Sequence, residues 1–156
     1  MKPGLKILLA EDNADDVFFM QEAFRKAGVS SQLHAVCDGL EARAYLQGEA
    51  AYHDRAAYPF PDMLLLDLNM PRMNGFEVLQ WLRQESPCPQ LIVHILTASC
   101  RTEDIERAYR LTANSYALKP TRLTDLIAFV GALHEWHRFA CLPRQMQDVR
   151  QTATGT

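Results

Sequence analysis

The stretch MLLLDLNMP at positions 63–71 decides how the rest of this chain is interpreted. It opens with an apolar run that has no polar alternation, which is typical of a strand buried on both faces inside a parallel sheet. Asp67 follows directly at the carboxyl end of that strand. Taken alone, an aspartate at this place is most often a turn or capping residue. Its role therefore depends on what the other strands bring beside it.

Outward from this strand, short apolar runs alternate with segments of helical periodicity. The runs predict strands at 5–10, 32–36, 63–66, 91–96 and 115–118, and the periodic segments predict helices at 14–26, 40–46, 75–84, 102–111 and from about 124 onward. Because parallel neighbours need helical crossovers, this alternation predicts one α/β domain with helices packed on a parallel sheet.

Local signals predict the ends and faces of these helices. Gly28 is expected to end the first helix. The segment 48–61 has no clear period and contains two prolines, so it is expected to be an irregular, partly helical insertion. Further expectations are an N-cap at Asn13 or Asp12, an N-cap at Thr102, and one helix side formed by Leu40, Ala44 and Tyr45.

Composition excludes several classes of protein. A chain of 156 residues with 48% hydrophobic and 22% charged residues fits one globular domain. A formal net charge of −3 disfavours direct binding to nucleic acid or to a membrane surface. Neither a signal peptide nor a run of ~18 apolar residues is visible, so a cytoplasmic location is expected. The four cysteines lie far apart without a Cys-x-x-Cys pair, which disfavours a zinc site.

Polar residues follow four of the predicted strands. They are Glu11 and Asp12 after the first, Asp67 and Asn69 after the third, Thr97 at the fourth and Lys119 with Pro120 after the fifth. In an open parallel sheet these strand ends lie at one edge. Carboxylates brought together there repel each other by ~1–4 kcal/mol per pair, so a cation is expected between them. A set of oxygen ligands without cysteine or histidine favours Mg²⁺.

The lysine and the threonine point to phosphoryl transfer. A transferring phosphoryl group spreads negative charge over its oxygens and needs cations and hydrogen-bond donors around it. Asp67 is then a candidate nucleophile that takes the phosphoryl group as an acyl phosphate.

With these motifs the chain resembles the receiver domain of bacterial two-component response regulators from Leu5 to about Phe139. Asp67 and Thr97 lie 30 residues apart, and Thr97 and Lys119 lie 22 apart, as in that family. The motifs that carry the resemblance are Glu11-Asp12, Asp67-Leu68-Asn69-Met70-Pro71 with Asn74-Gly75, Thr97-Ala98-Ser99, and Tyr116 before Lys119-Pro120.

The resemblance implies a fold and a ligand set. The fold would be the flavodoxin-like receiver fold, a doubly wound five-stranded parallel sheet of order 2-1-3-4-5 with helices on both faces. Asp67 would be the phosphoacceptor in a Mg²⁺-dependent reaction. Asp12 and the Asn69 carbonyl would bind Mg²⁺ directly and Glu11 mainly through water. The Lys119–Pro120 peptide would be cis.

The resemblance also implies a switch and partners. Thr97 and Lys119 would contact phosphoryl oxygens, with Ala98 leaving room for them. Thr97 and Tyr116 would report phosphorylation together. The phosphoryl donor would be a sensor histidine kinase or a histidine phosphotransfer protein, and the signal would pass to a downstream protein target. The chain would be a signalling domain that catalyses only its own phosphorylation and dephosphorylation.

The C-terminal part of the sequence indicates how the protein passes on its signal. Residues 1–140 are expected to form the receiver domain and 141–156 a short tail, so the chain is expected to act as a stand-alone regulator, of the kind that pairs with phytochrome-type kinases. Trp136, Phe139 and Leu142 continue an apolar stripe that either packs against a second copy or folds back on its own domain. Thr112 stands where the family has glycine, which predicts a helix end closed without a left-handed glycine.

Other functions stay open at this stage. A phosphohydrolase of the haloacid dehalogenase type also uses a strand-end aspartate, but it needs a second acid two residues on, where this chain has Asn69. A flavodoxin-like cofactor binder needs a phosphate-cradling loop where Glu11 and Asp12 stand. A scaffold that works without phosphorylation is the remaining alternative.

Overall fold

The computed structural model describes residues 4–143 as a five-stranded parallel sheet with helices on both faces. The strands are β1 (Leu5–Ala10), β2 (Ser31–Val36), β3 (Met63–Leu66), β4 (Ile92–Thr97) and β5 (Ser115–Leu118). The α-helices are α1 (Ala14–Ala27), α2 (Gly39–Gln47), α3 (Gly75–Gln84), α4 (Thr102–Arg110) and α5 (Leu123–Phe139). The strand order is β2-β1-β3-β4-β5, which confirms the expected receiver topology. Within residues 4–143, no helix combines the length and apolar character needed to cross a bilayer.

β3 is the centre of the sheet and is buried along its whole length. Leu64 and Leu66 belong to the core under α2, α3 and α4, whereas Met63 and Leu65 belong to the core under α1 and α5. Because successive side chains of a strand point to opposite faces, an all-apolar strand is what two separate cores require.

The caps of α1 are as expected, and those of α4 are not. The Asn13 side chain accepts a hydrogen bond from Asp16 N, and Gly28 ends α1 with φ of 65°. Thr102 was expected to cap α4, but it is already helical, and Arg101 occupies the N-cap position without a side-chain hydrogen bond. A position preceding a helical run does not by itself distinguish the cap from the first helical residue.

The face of α2 differs from the expectation in one residue. Leu40 is 44% exposed, whereas Ala42, Tyr45 and Leu46 are buried. Asp38 accepts the capping hydrogen bond from Glu41 N, so α2 begins at Gly39 and the inward stripe starts at Ala42.

Thr112 ends α4 in the left-handed region, with φ of 64°. The helix end is therefore closed without a glycine, as expected, but the left-handed position is kept and is occupied by threonine. Threonine adopts the conformation that glycine adopts more easily, because a β-branched residue is strained at positive φ. The Thr112 carbonyl accepts hydrogen bonds from Arg83 Nε at 3.1 Å and Nη2 at 3.0 Å, which fixes the peptide in place.

The 48–61 insertion is irregular with one short 3₁₀ turn, Ala50–Tyr52, as expected. Arg55 organises it, since its guanidinium donates to the carbonyl oxygens of Tyr45 (2.8 Å), Leu46 (2.9 Å) and Tyr58 (3.2 Å). Two of these acceptors belong to the last turn of α2, where carbonyls lack partners within the helix. The insertion therefore closes the end of α2 and lies against the core.

Candidate functional site

Four strand ends meet at one edge of the sheet. The register pairs Ala10 with Leu66 and Thr97 with Leu118, so the residues that follow β1, β3 and β5 lie beside the end of β4. Asp67 N donates to the Ala10 carbonyl at 3.1 Å, and Lys119 N donates to the Thr97 carbonyl at 2.9 Å. The structure thus brings together the strand-end residues that the sequence singled out.

Three carboxylates converge at this edge. One oxygen each from Glu11, Asp12 and Asp67 lies within 4.8 Å of the others. Glu11 and Asp67 are only 4% and 5% exposed, whereas Asp12 is exposed to solvent. Such a set of oxygen donors, partly buried and open on one side, fits a hard divalent cation that keeps some of its waters.

Lys119 supplies the positive charge that faces these groups. Its Nζ lies 2.5 Å from Glu11 Oε2, 3.0 Å from Asp67 Oδ2 and 3.0 Å from Asp16 Oδ2. Burial by itself lowers the pKa of Lys119, but the hydrogen bonds to these three carboxylates raise it above its ordinary value. One ammonium therefore pairs with three carboxylates, and Asp12 adds a fourth acidic side chain beside Glu11 and Asp67.

Asp16 is a site residue that the sequence reasoning missed. It lies in the first turn of α1, and its side chain is 43% exposed. The signal in the sequence was the group of acidic residues around the start of α1, namely Glu11, Asp12, Asp15 and Asp16. An acidic residue in a first turn is also a common feature of helix starts, which concealed this second role.

Glu11 is held in place by two donors. Its Oε1 accepts from Asn13 N at 3.1 Å, and its Oε2 pairs with Lys119. Burial raises the pKa of Glu11 to about 7, against the lowering effect of these hydrogen bonds. A cation bound beside Glu11 would favour the charged carboxylate and lower this pKa.

Thr97 and Tyr116 lie on the α4 side of the site. Thr97 is fully buried, and its Oγ1 accepts from Ser99 N at 3.4 Å. The half-buried Tyr116 donates its hydroxyl hydrogen to the Ser99 carbonyl at 2.8 Å. Both side chains therefore contact the backbone of the loop that joins β4 to α4. Ala98, in the same loop, is exposed and leaves the edge open.

The loop after Asp67 is packed closely against its backbone. Asn69 is exposed, and its N lies 3.5 Å from Asp67 Oδ1. Gly75 N donates to the Leu68 carbonyl at 3.0 Å, and a Cβ at Gly75 would overlap the Asp67 carbonyl oxygen. The glycine therefore lets the start of α3 approach the strand end that carries Asp67.

The Lys119–Pro120 peptide was expected to be cis, and this prediction was wrong. No peptide bond among residues 4–143 is cis. The bond has the trans isomer, which X–Pro peptides favour by about 0.5–1 kcal/mol.

Comparison with known proteins gives a consistent result. Residues 7–131 match the family model described as the response regulator receiver domain. Over 142 residues the chain is 34% identical to the response regulator Rcp1 of Synechocystis, covering 90% of this chain and 95% of Rcp1. A solved structure of Rcp1 in its Mn²⁺-bound form superposes with a TM-score of 0.77 at 34% identity, covering 91% of this chain and 100% of that one.

Two further solved structures are similar over the same length. The response regulator RPA3017, in red light signalling of R. palustris, gives a TM-score of 0.82 at 35% identity, covering 90% of this chain and 99% of that one. The phosphorylated cyanobacterial phytochrome response regulator RcpA gives 0.80 at 35% identity with the same coverage. These matches add no support to a haloacid-dehalogenase-type hydrolase or to a scaffold.

Proposed function

Because this chain belongs to the response regulator receiver domain family, we propose that Asp67 accepts a phosphoryl group from a histidine kinase or a histidine phosphotransfer protein. The observation that carries the proposal is the position of the Asp67 carboxylate. It is almost fully buried, it lies 3.0 Å from Lys119 Nζ, and it shares a cluster with two further carboxylates.

In the proposed reaction an Asp67 carboxylate oxygen attacks the phosphorus of a phosphohistidine. A new P–O bond forms, the P–N bond breaks, and the imidazole leaves with a proton from solvent. Lys119 pairs with Asp67 Oδ2 and is also held by Glu11 and Asp16. Its ammonium is thus already placed to meet the oxygens of the incoming phosphoryl group.

We propose Mg²⁺ as the metal of this site, held directly by Asp12, Asp67 and the Asn69 carbonyl and through water by Glu11. The ion would neutralise the charge that spreads over the phosphoryl oxygens. The convergence of three carboxylates supports a divalent cation at this place, and the related Rcp1 has a Mn²⁺-bound form.

Thr97 and Tyr116 form the proposed switch. The buried Thr97 hydroxyl would turn toward a phosphoryl oxygen, and the Tyr116 ring would follow it inward. Tyr116 now donates to the Ser99 carbonyl, so an inward movement of the ring exchanges this hydrogen bond for a new contact. The two arrangements provide the bistable element that a phosphorylation switch needs.

The output is proposed to be protein contact or onward phosphotransfer by a stand-alone receiver formed by residues 1–140. The similarity to RcpA supports a phytochrome-associated kinase as the donor. The 141–156 tail lies largely outside the described residues, so its role stays a prediction, as does the cytoplasmic location. We also propose a homodimer in which Phe139, 78% exposed, contacts a second copy.

Labelling with a small phosphodonor tests the proposed function. Purified protein incubated with ³²P-acetyl phosphate and MgCl₂ should acquire a base-labile label, and chelation of Mg²⁺ or the change Asp67→Asn should abolish it. Asp62→Asn is the matched control, because Asp62 lies at the other end of β3 and outside the site. A label that survives Asp67→Asn, or one that forms equally well without a divalent metal, would contradict the proposal.

A further inference from the structure

The loop 68–74 joins β3 to α3 and is tied to the start of α2 at two successive residues. Arg72 contacts Asp38, and the Met73 carbonyl accepts from Gly39 N at 3.0 Å. Asn69, whose carbonyl is a proposed metal ligand, lies in the same loop. The start of α2 is therefore in direct contact with the segment that follows the phosphoacceptor.

The ion pair in this connection joins an exposed group to a buried one. Arg72 Nε lies 2.7 Å from Asp38 Oδ2, and Arg72 Nη2 lies 2.5 Å from the same oxygen. The Asp38 side chain is only 4% exposed, whereas that of Arg72 is 58% exposed. A buried carboxylate is costly without partners, so this pair fixes the position of the guanidinium against α2.

The other oxygen of Asp38 is also engaged. Oδ1 accepts from Glu41 N at 2.9 Å and so caps α2. Burial by itself raises the pKa of Asp38, but the hydrogen bonds from Glu41 N and Arg72 hold it below its ordinary value. Because both oxygens have partners, the carboxylate is a rigid anchor with a fixed charge.

The backbone has an unusual feature on each side of the contact between the loop 68–74 and α2. Arg72 has φ of 63°, a left-handed conformation that an ordinary residue rarely adopts. A Cβ at Gly39 would overlap the Met73 carbonyl oxygen, so only glycine allows this close approach. Because glycine would fit this conformation with less strain, the presence of arginine indicates that its side-chain contact with Asp38 has a role.

We propose that Asp38 and Arg72 are positioning residues for the acidic site, and that their ion pair holds the loop 68–74 so that the Asn69 carbonyl lies beside Asp67. The inference rests on the proposed function, in which this carbonyl is a metal ligand. Neither residue touches the reacting atoms, and both act through the loop. Groups that orient metal ligands typically change metal affinity about 10–100-fold when they are removed.

Two substitutions remove the ion pair while keeping the local backbone conformation and the cap of α2. Arg72→Gly removes the guanidinium but suits the positive φ, so the backbone conformation is retained without strain. Asp38→Asn removes the charge but keeps a side-chain oxygen that can cap α2. Glu22→Gln is the matched control, since it breaks the exposed pair of Glu22 with Arg25 on α1, away from the site.

The readout is the Kd for Mg²⁺ of the unphosphorylated protein, measured by calorimetry, with the urea unfolding midpoint measured in parallel without metal. Both variants should bind Mg²⁺ about tenfold more weakly than the wild type, and Glu22→Gln should bind it equally well. The double variant should bind Mg²⁺ no more weakly than either single variant, because both substitutions remove the same ion pair.

The outcomes separate this inference from the proposed function. Variants that bind Mg²⁺ like the wild type overturn the inference alone, and so do variants that lose stability while keeping their Mg²⁺ affinity. A wild-type protein that binds no divalent metal overturns both the proposed function and the inference.

Discussion

Asp12 is the exposed member of a crowded group of carboxylates, and its charge has no partner within hydrogen-bonding distance among residues 4–143. Two like charges at ~4 Å repel each other by about 1 kcal/mol even with the screening of water. Asp12→Asn should therefore raise the free energy of unfolding in metal-free buffer by about 1 kcal/mol. Thermal unfolding with chelator present would measure it.

The same variant should lose the response to metal. A ligand that binds only the folded state adds about 2.7 kcal/mol at a concentration of one hundred times its Kd, and Asp12→Asn should lack most of this gain in MgCl₂. Asp15→Asn is the control, because Asp15 is also an acidic residue near the start of α1 but lies outside the cluster. A loss of stability in metal-free Asp12→Asn would contradict the repulsion argument.

The buried side chain of His94 is expected to make the stability of the fold depend on pH. Its Nδ1 lies 2.5 Å from Ser115 Oγ, and its ring packs edge-on against Trp136. Its Nε2 is buried and has no hydrogen-bond partner within the described part of the chain, residues 4–143. Burial lowers the pKa of His94. The unfolded chain therefore binds more protons than the native state below the ordinary histidine pKa of about 6.5, and stability falls as pH falls through this range.

Replacing His94 removes this contribution. His94→Leu should unfold with a shallower loss of stability between neutral and mildly acidic pH, by up to about 1.4 kcal/mol per pH unit, the slope of one proton. Urea midpoints across this pH range give the comparison. Equal slopes for the two proteins would show that His94 does not carry the pH dependence.

At the level of single residues, strand-end position was enough to predict most of the site. Glu11, Asp67, Thr97 and Lys119 follow short apolar runs, and parallel strands bring such residues to one edge. Asp16 could not be separated from an ordinary first-turn acid, because its role depends on where Lys119 points in three dimensions.

At the scale of secondary structure elements, Arg83 connects α3 to the turn before β4 and to the segment that follows α4. Its guanidinium donates to the carbonyls of Pro89 (2.8 Å), Leu91 (2.7 Å) and Thr112 (3.0 Å), and to Asn114 Oδ1 (2.9 Å). One planar group with five donors can satisfy such a set, and a smaller cation cannot. Arg83 thereby holds the turn before β4 against the left-handed end of α4.

Arg83→Met should cost about 2–3 kcal/mol of unfolding free energy, because charge-assisted hydrogen bonds are lost and the buried Leu91 carbonyl loses a donor. The measurement is the shift of the urea midpoint at constant slope. Arg110→Met provides the control, since Arg110 forms an exposed pair with Glu106 at 3.9 Å, and it should change stability by less than about 0.5 kcal/mol. Similar losses in both variants would show that Arg83 is an ordinary surface arginine.

Element ends were harder to predict than element types. All five helices and five strands were predicted with bounds close to those observed. The predictions failed at Leu40 and Thr102, where one residue decides a face or a cap, and the left-handed conformation of Thr112 was not predicted. Such details depend on tertiary contacts, such as the one from Arg83 to Thr112, that no local pattern contains.

At the scale of the whole molecule, the end of α5 leaves an apolar surface that the domain itself only partly covers. Trp136 is 43% exposed and packs on His94, and Leu142 is half-buried. Trp136 therefore packs on its own domain, which is one of the two alternatives that the sequence left open. Phe139 is 78% exposed and remains available to a second copy.

Phe139 therefore decides between a monomer and the proposed homodimer. A large aromatic ring left in water gains about 1.5–3 kcal/mol when it is fully buried, and a twofold interface gains this amount twice. Phe139→Ser, or truncation after residue 138, should shift the mass in analytical ultracentrifugation from dimer to monomer at micromolar concentration. Phe18→Ser is the matched control, because Phe18 is 56% exposed on α1 and should leave the mass unchanged. A wild-type protein that sediments as a monomer, or a Phe139→Ser variant that remains a dimer, would remove this interface and leave the receiver to signal as a single chain.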